Sequence, residues 1–186
     1  EKAIDFLKKY LKDWLNIEGT EERDKDKVQE EIENSVNRQG HKYHISYDLW
    51  EMNEGIHLYS LASIYSAFDS ILNIYKALGK NVSEFENNRL KEEKIQKNKR
   101  TIENLQTQLK KYINENLYDE EKKSYVRNTE DRKMDISILG AITPFNMFKP
   151  KEKKIRNTVE RINMSLRTYT GGYQRFEQDN YMNGNP

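Results

Sequence analysis

The stretch Ile56-His57-Leu58-Tyr59-Ser60-Leu61-Ala62-Ser63-Ile64-Tyr65-Ser66-Ala67-Phe68-Asp69-Ser70-Ile71-Leu72-Asn73-Ile74-Tyr75-Lys76-Ala77-Leu78 decides the fold. Its apolar residues, Ile56, Leu58, Tyr59, Leu61, Ile64, Tyr65, Phe68, Ile71, Leu72, Ile74, Tyr75 and Leu78, cover nearly every face of a helix. A helix that is apolar all round is predicted to be buried on all sides, so it needs other helices around it. Gly79 follows as a natural residue to end it.

Outward from this helix the chain alternates between buried and wet. Ser83 reads as an N-cap with Glu86 closing a capping box. The helix that follows runs to about Asn116 on a sparse stripe of Leu90, Ile95, Ile102, Leu105, Leu109 and Ile113. One narrow stripe packs one side only, which predicts an outer helix antiparallel to the inner one. Upstream, Ile4, Leu7, Leu11 and Trp14/Leu15 predict an amphipathic helix over about 2–16. Residues 18–37 are charge-dense, with Val28, Ile32 and Val36 as a thin stripe on a solvated helix. Downstream, 117–134 reads as a loop or short hairpin. Asp135 to Ala141 begins a short apolar helix, and Pro144 and Pro150 bracket a loop with Phe145, Met147 and Phe148. Ile155, Val159, Ile162 and Leu166 mark another one-sided helix, and Gly171-Gly172 ends the helical pattern. The fold class is all-α, with inner and outer helix layers.

Composition narrows the chemistry. The 186 residues carry a formal net charge of +1, with 35% hydrophobic and 34% charged residues. The mean hydropathy of -1.06 leans towards disorder, but 12 Tyr, 6 Phe and 2 Trp supply material for a core. Near-zero net charge provides no long-range field for nucleic acid or an anionic membrane. The absence of Cys excludes a disulfide scaffold, thiol catalysis and zinc-thiolate sites, and fits a reducing compartment. With only 8 Gly and 3 Pro there are few places to turn, which favours helix over strand. No apolar run of membrane-spanning length occurs. The chain opens inside an amphipathic pattern without Met and stops on a turn signal at Asn183-Gly184-Asn185-Pro186. It is therefore expected to be a piece of a larger protein, with upstream and downstream portions of its domain missing.

Two segments hold candidate chemistry. Tyr47-Asp48-Leu49-Trp50-Glu51 precedes the buried helix. A carboxylate beside a Trp at the mouth of a buried layer is a desolvated acid, and desolvation raises a carboxyl pKa as general-acid work requires. The structural alternative is an N-capping Asp48 and an interfacial Trp50. In the tail, Arg175, Glu177 and Asp179 fall among the rings of Tyr173, Phe176 and Tyr181. Rings stack on the apolar face of a sugar and charged groups hydrogen-bond its edge; the alternative is a surface ion-pair loop. His41, His44 and His57 do not combine with a carboxylate on one helical face, so no metal is expected. Lys149, Lys151, Lys153, Lys154 and Arg156 read as a solvated helix start, with nucleic-acid contact a remote second reading. No GxSxG, Walker or GxGxxG pattern occurs.

The run Ser46 to Ser60, SYDLWEMNEGIHLYS, resembles the "DLWEE…G.H.YT" segment of glycoside hydrolase family 15, the glucoamylases. The tail Gly171 to Pro186, GGYQRFEQDNYMNGNP, resembles that family's "GGY.RYE.D.Y.GGNPW" segment. Between them, Asp135-Ile136-Ser137 and Thr158-Val159-Glu160 fit its "D.S" and "TVE.I" runs. The match covers about 45–79 and 118–186.

The resemblance implies an α/α six-hairpin toroid and an inverting exo-hydrolase that releases glucose from α-glucan ends, without a cofactor. It implies Glu51 as general acid. Trp50, Arg175, Asp179, Tyr47 and Tyr181 would bind substrate, with Arg175 on sugar hydroxyls and Asp179 fixing Arg175 or its loop. The general base would lie beyond Pro186, so the isolated chain is expected to be inactive and to self-associate through exposed inner helices. Where the family often has a second Glu after the acid, this chain has Met52. A non-catalytic helical module of the same lineage, binding glycan or protein, is the alternative.

Overall fold

The computed structural model describes residues 11, 46–82 and 89–180. The chain divides into two units, Glu1–Ile45 and Ser46–Pro186. Of the first only Leu11 is described, in helical conformation. The rest of the predicted helix over 2–16, the charged segment 18–37 and the capping box at Ser83 and Glu86 lie outside the described residues, as does Tyr181.

The second unit is mostly helical. Its elements run β1 (Ser46–Tyr47), β2 (Glu54–Gly55), α1 (Leu58–Val82), α2 (Arg89–Asn116), β3 (Tyr118–Asp119), β4 (Ser124–Tyr125), a 3₁₀ helix (Ile136–Ala141) and α3 (Lys153–Leu166). The strands form two antiparallel pairs, β1 with β2 and β3 with β4. Each strand is two residues long, so the all-α class stands for the described residues.

The inner helix is α1. It continues past Gly79 to Val82 rather than ending there. A glycine inside a helix costs only about 1 kcal/mol, and no proline follows to stop the ladder. Leu58, Leu61, Ala62, Ile64, Phe68 and Leu72 are buried along one stripe. Ile74 is 56% exposed: the described neighbours, α2 and the 3₁₀ helix, cover one side of α1, as expected of an inner helix whose further partners lie outside this chain. Gln106 Nε2 donates to the Tyr65 carbonyl and Asn98 Nδ2 to the Tyr75 hydroxyl. The later residue of α1 thus meets the earlier residue of α2, which makes the pair antiparallel, as expected. Ile102, Leu105, Leu109 and Ile113 form the buried stripe of α2.

The 3₁₀ helix packs on the start of α1 at Gly140. A Cβ at Gly140 would lie 2.7 Å from the Tyr59 ring, which in turn meets Phe145 edge-on at 5.0 Å. Gly140→Ala is therefore expected to destabilise the unit by about 1–3 kcal/mol through overpacking. A lowered thermal midpoint is the measurement; an unchanged midpoint would mean that the ring yields freely.

The predicted hairpin over 117–134 is the β3–β4 pair. Its Tyr125 stacks on Phe148 at 4.9 Å and gives its hydroxyl proton to Asn114. On α3 the buried residues are Ile155, Thr158, Ile162 and Leu166, while Val159 is 42% exposed. Thr158, not Val159, faces inward because its hydroxyl accepts from the Tyr125 backbone N–H and donates to the Lys154 carbonyl. In the basic cluster, Lys149, Lys151, Lys153 and Arg156 are exposed, and Lys154 lies over the Tyr118 ring.

Candidate active site

A small closed loop carries Trp50 and Glu51. β1 and β2 clamp its ends, pairing Ser46 with Gly55 and Tyr47 with Glu54. Asp48 sits inside it, 6% exposed. Its carboxylate accepts from the backbone N–H groups of Trp50 at 3.0 Å and Met52 at 2.9 Å, and from the Asn53 side chain at 2.6 Å. The Asn53 carbonyl accepts from the Asp48 N–H. His57 contacts the same carbonyl at 3.0 Å through Nε2, and since a carbonyl only accepts, Nε2 carries the proton. Asp48 is thus no helix cap; it lies ten residues before α1 begins and organises the loop from within.

Burial alone would push the Asp48 carboxyl up. The hydrogen bonds from Asn53 and Met52, with His57 nearby, outweigh it and hold the group below the ordinary carboxylate value. The sign follows from linkage: with a depressed folded-state pKa, the stability contributed by Asp48 is present above the ordinary value of 3.8 and is lost as pH falls through the folded one. Asp48→Asn turns an amide N–H towards the Asn53 amide. It is expected to cost about 1–3 kcal/mol at neutral pH and to flatten the acid limb of stability below about pH 4. Denaturant melts at pH 7, 4 and 3 test this; an acid limb of unchanged slope would contradict it.

Glu51 occupies the tip of the loop. Its N–H bonds the Asp48 carbonyl and its φ is 55°, the left-handed region that non-glycine residues seldom adopt. This turn sends the Glu51 side chain into solvent, where it is exposed beside the exposed Leu49, Met52 and Tyr47. The carboxylate desolvated against Trp50 is therefore not Glu51. It is Asp135, 85 residues from Trp50 in the chain, whose two oxygens lie 3.2 and 3.1 Å from the indole Nε1. Asp135 is fully buried, and burial raises its pKa against the opposing bonds from Ser137 and Trp50 and the charge of Arg127.

The tail segment docks on the same residues. The Asp135 and Phe176 backbones form a bridge, Ile136 N–H bonds the Arg175 carbonyl, and Glu177 exchanges bonds with Met134. Glu177 thereby ties backbone rather than facing a ligand. Arg175 holds Asp179 bidentately at 2.8 and 2.6 Å, and its guanidinium lies 5.7 Å from the Trp50 ring centre. Phe176 is buried, with Arg127 at 4.7 Å and Arg175 at 5.3 Å from its centre, so its ring is not free to stack on a sugar. Tyr173 turns to Asn163 on α3.

Of the expected residues, Trp50, Glu51, Arg175, Asp179 and Tyr47 fall in or beside one cluster built from the loop and the tail. Asp135 and Arg127 were missed as members of it. Asp135 had a signal, its place in the "D.S" run; Arg127 had none.

Two segments about 120 residues apart in the chain thus meet around Trp50 and Arg175. The sequence model of the family described as Glycosyl hydrolases family 15 matches residues 3–186. The chain belongs to this family. It is also similar to an uncharacterized glycosyl hydrolase of Methanocaldococcus jannaschii, 29% identical over 140 residues, covering 75% of this chain and 21% of that protein. The chain thus spans about a fifth of the length of that curated relative. No helix among the described residues is long and apolar enough to cross a membrane.

Proposed function

We propose that residues 1–186 are part of the catalytic domain of an inverting, exo-acting α-glucoside hydrolase, glucoamylase-like, with Glu51 as general acid. The observation that carries this reading is Glu51 held exposed at φ 55° on a clamped loop, directly after Trp50, whose ring lies 5.7 Å from the Arg175 guanidinium. Non-glycine residues in this region cluster at functional sites, because the surroundings must over-determine them. A sugar seated over Trp50 would exclude water from the Glu51 carboxyl and bring the glycosidic oxygen within its reach. Arg175, oriented by Asp179, would donate to sugar hydroxyls, and Tyr47 and Tyr181 would complete the binding surface. Glu51 would protonate the leaving oxygen while a second carboxylate, roughly 6.5–9.5 Å away, activates water on the opposite face. That base would lie outside this chain.

The α1–α2 pair supports the toroid reading, in which inner and outer helices alternate. The exposed Ile74 of α1 is a position that a further helix of the ring would cover. The test is hydrolysis of maltooligosaccharides by the full-length protein, followed by NMR of the newly released sugar. Inversion predicts β-glucose as the first product. Release of α-glucose would overturn the inverting mechanism, and no release would favour the second reading. That second reading, a non-catalytic glycan- or protein-binding module, is favoured by one observation: Met52 stands exposed beside Glu51 where the family often has a carboxylate.

A further inference from the structure

Asp135 buries a carboxyl group whose desolvation needs an explanation. Ser137 accounts for the local bonds: its N–H caps the 3₁₀ helix at 2.7 Å, and its hydroxyl also favours the ionised carboxyl. A serine or asparagine caps as well without burying a carboxyl. The remaining bonds lead elsewhere. Both carboxylate oxygens face the Trp50 indole N–H, and Arg127 Nη1 stands 3.9 Å away. Arg127 is itself buried, with Nη2 on Asp131 and its guanidinium over Phe176. The backbone on either side of Asp135 carries the tail, through the Phe176 bridge and the Ile136 bond to the Arg175 carbonyl.

The acid loop is stiff internally, because Asp48 bonds three of its groups. A stiff loop still needs an anchor to fix its direction. Between Asp48 and Asn53, the Trp50 indole is the loop's described side-chain hydrogen bond to the rest of the unit beyond His57. We propose that Asp135 is a positioning residue, whose carboxylate grips the Trp50 indole N–H and sets Glu51 in register with Arg175. It touches no reacting atom. It acts through Trp50 on one side and through the backbone of the tail on the other. The kinetic part of this inference rests on the proposed role of Glu51; the grip itself does not.

The experiment uses the full-length protein labelled with 15N at the tryptophan indoles, with the Trp50 resonance assigned by its loss in Trp50→Phe. In Asp135→Ala the Trp50 indole proton is expected to move upfield and to exchange faster with solvent. kcat for maltooligosaccharide is expected to fall about 100-fold with KM little changed, the size of effect that a roughly 1 Å misplacement produces. Asp135→Asn keeps one oxygen for both Ser137 and Trp50. It is expected to restore most of the indole shift and at least part of kcat, and it serves as the folded variant if the alanine protein does not fold. An unmoved indole resonance in both variants overturns the grip. A displaced resonance with unchanged kcat, in a protein where Glu51→Gln abolishes hydrolysis, overturns the positioning role. If Glu51→Gln leaves hydrolysis intact, the reading of Glu51 fails, and the indole resonance still decides the grip.

Discussion

Glu51→Gln in the full-length protein is expected to lower kcat on maltooligosaccharides by about 10²–10⁴-fold, the range over which positioned proton transfer accelerates such reactions. KM should change little, because the amide keeps the shape of the side chain. The folded state should not suffer, since Glu51 is exposed and its N–H, not its carboxyl, makes the described bond to Asp48. Loss of rate without loss of stability is thus the expected signature. A proportional fall in both would point to collapse of the loop. Full retention of rate would remove Glu51 from the chemistry.

The second large effect is expected at Arg175. Asp179 is 3% exposed and receives both arms of the guanidinium. Removing one partner from a buried pair costs about 3–5 kcal/mol. Arg175 keeps 24% of its side-chain surface in water, so the lower end applies to Arg175→Ala. Arg175→Lys keeps the charge but not the planar fork, and neither aligns on Asp179 nor stacks over Trp50 in the same way. Each charge-assisted bond to substrate is worth about 1.5–3 kcal/mol. The lysine variant is therefore expected to lose roughly 10- to 150-fold in kcat/KM, with only a small drop in thermal midpoint. Unchanged kcat/KM in both variants would take Arg175 out of the binding site.

Much of this architecture was legible because helical periodicity is a local signal. The inner character of α1 and the sparse stripe of α2 could be read residue by residue. The short hairpin and the one-sided α3 could be read in the same way. Periodicity says less where a neighbour decides. Leu72 is buried and Ile74 exposed, because the described neighbours cover one side of α1. Val159 looked like core and Thr158 did not, until Tyr125 supplied a backbone N–H for the threonine hydroxyl. Gly79 looked like a stop, but a glycine ends a helix only when the following chain can leave it.

The site divides along the same line. Trp50, Glu51, Arg175 and Asp179 stood out through their two segments, and the Arg175–Asp179 pairing follows a simple i, i+4 spacing. The expectation of a desolvated carboxylate beside Trp50 was right in kind and wrong in residue. The adjacent Glu51 turns outward on a left-handed backbone, and Asp135 arrives from 85 residues away. No local pattern announces a contact of that range. Phe176, which looked like a sugar platform, instead lies beneath two guanidinium groups.

The central claim is that Glu51 supplies the proton to the departing sugar oxygen, and leaving-group dependence tests it most directly. Glu51→Gln and the unaltered full-length protein would be compared on maltose and on α-glucosyl fluoride. Fluoride departs without protonation, so the fluoride should remain a substrate while maltose turnover falls by about 10²–10⁴-fold. An equal loss on both substrates, or no loss on either, would contradict the assignment.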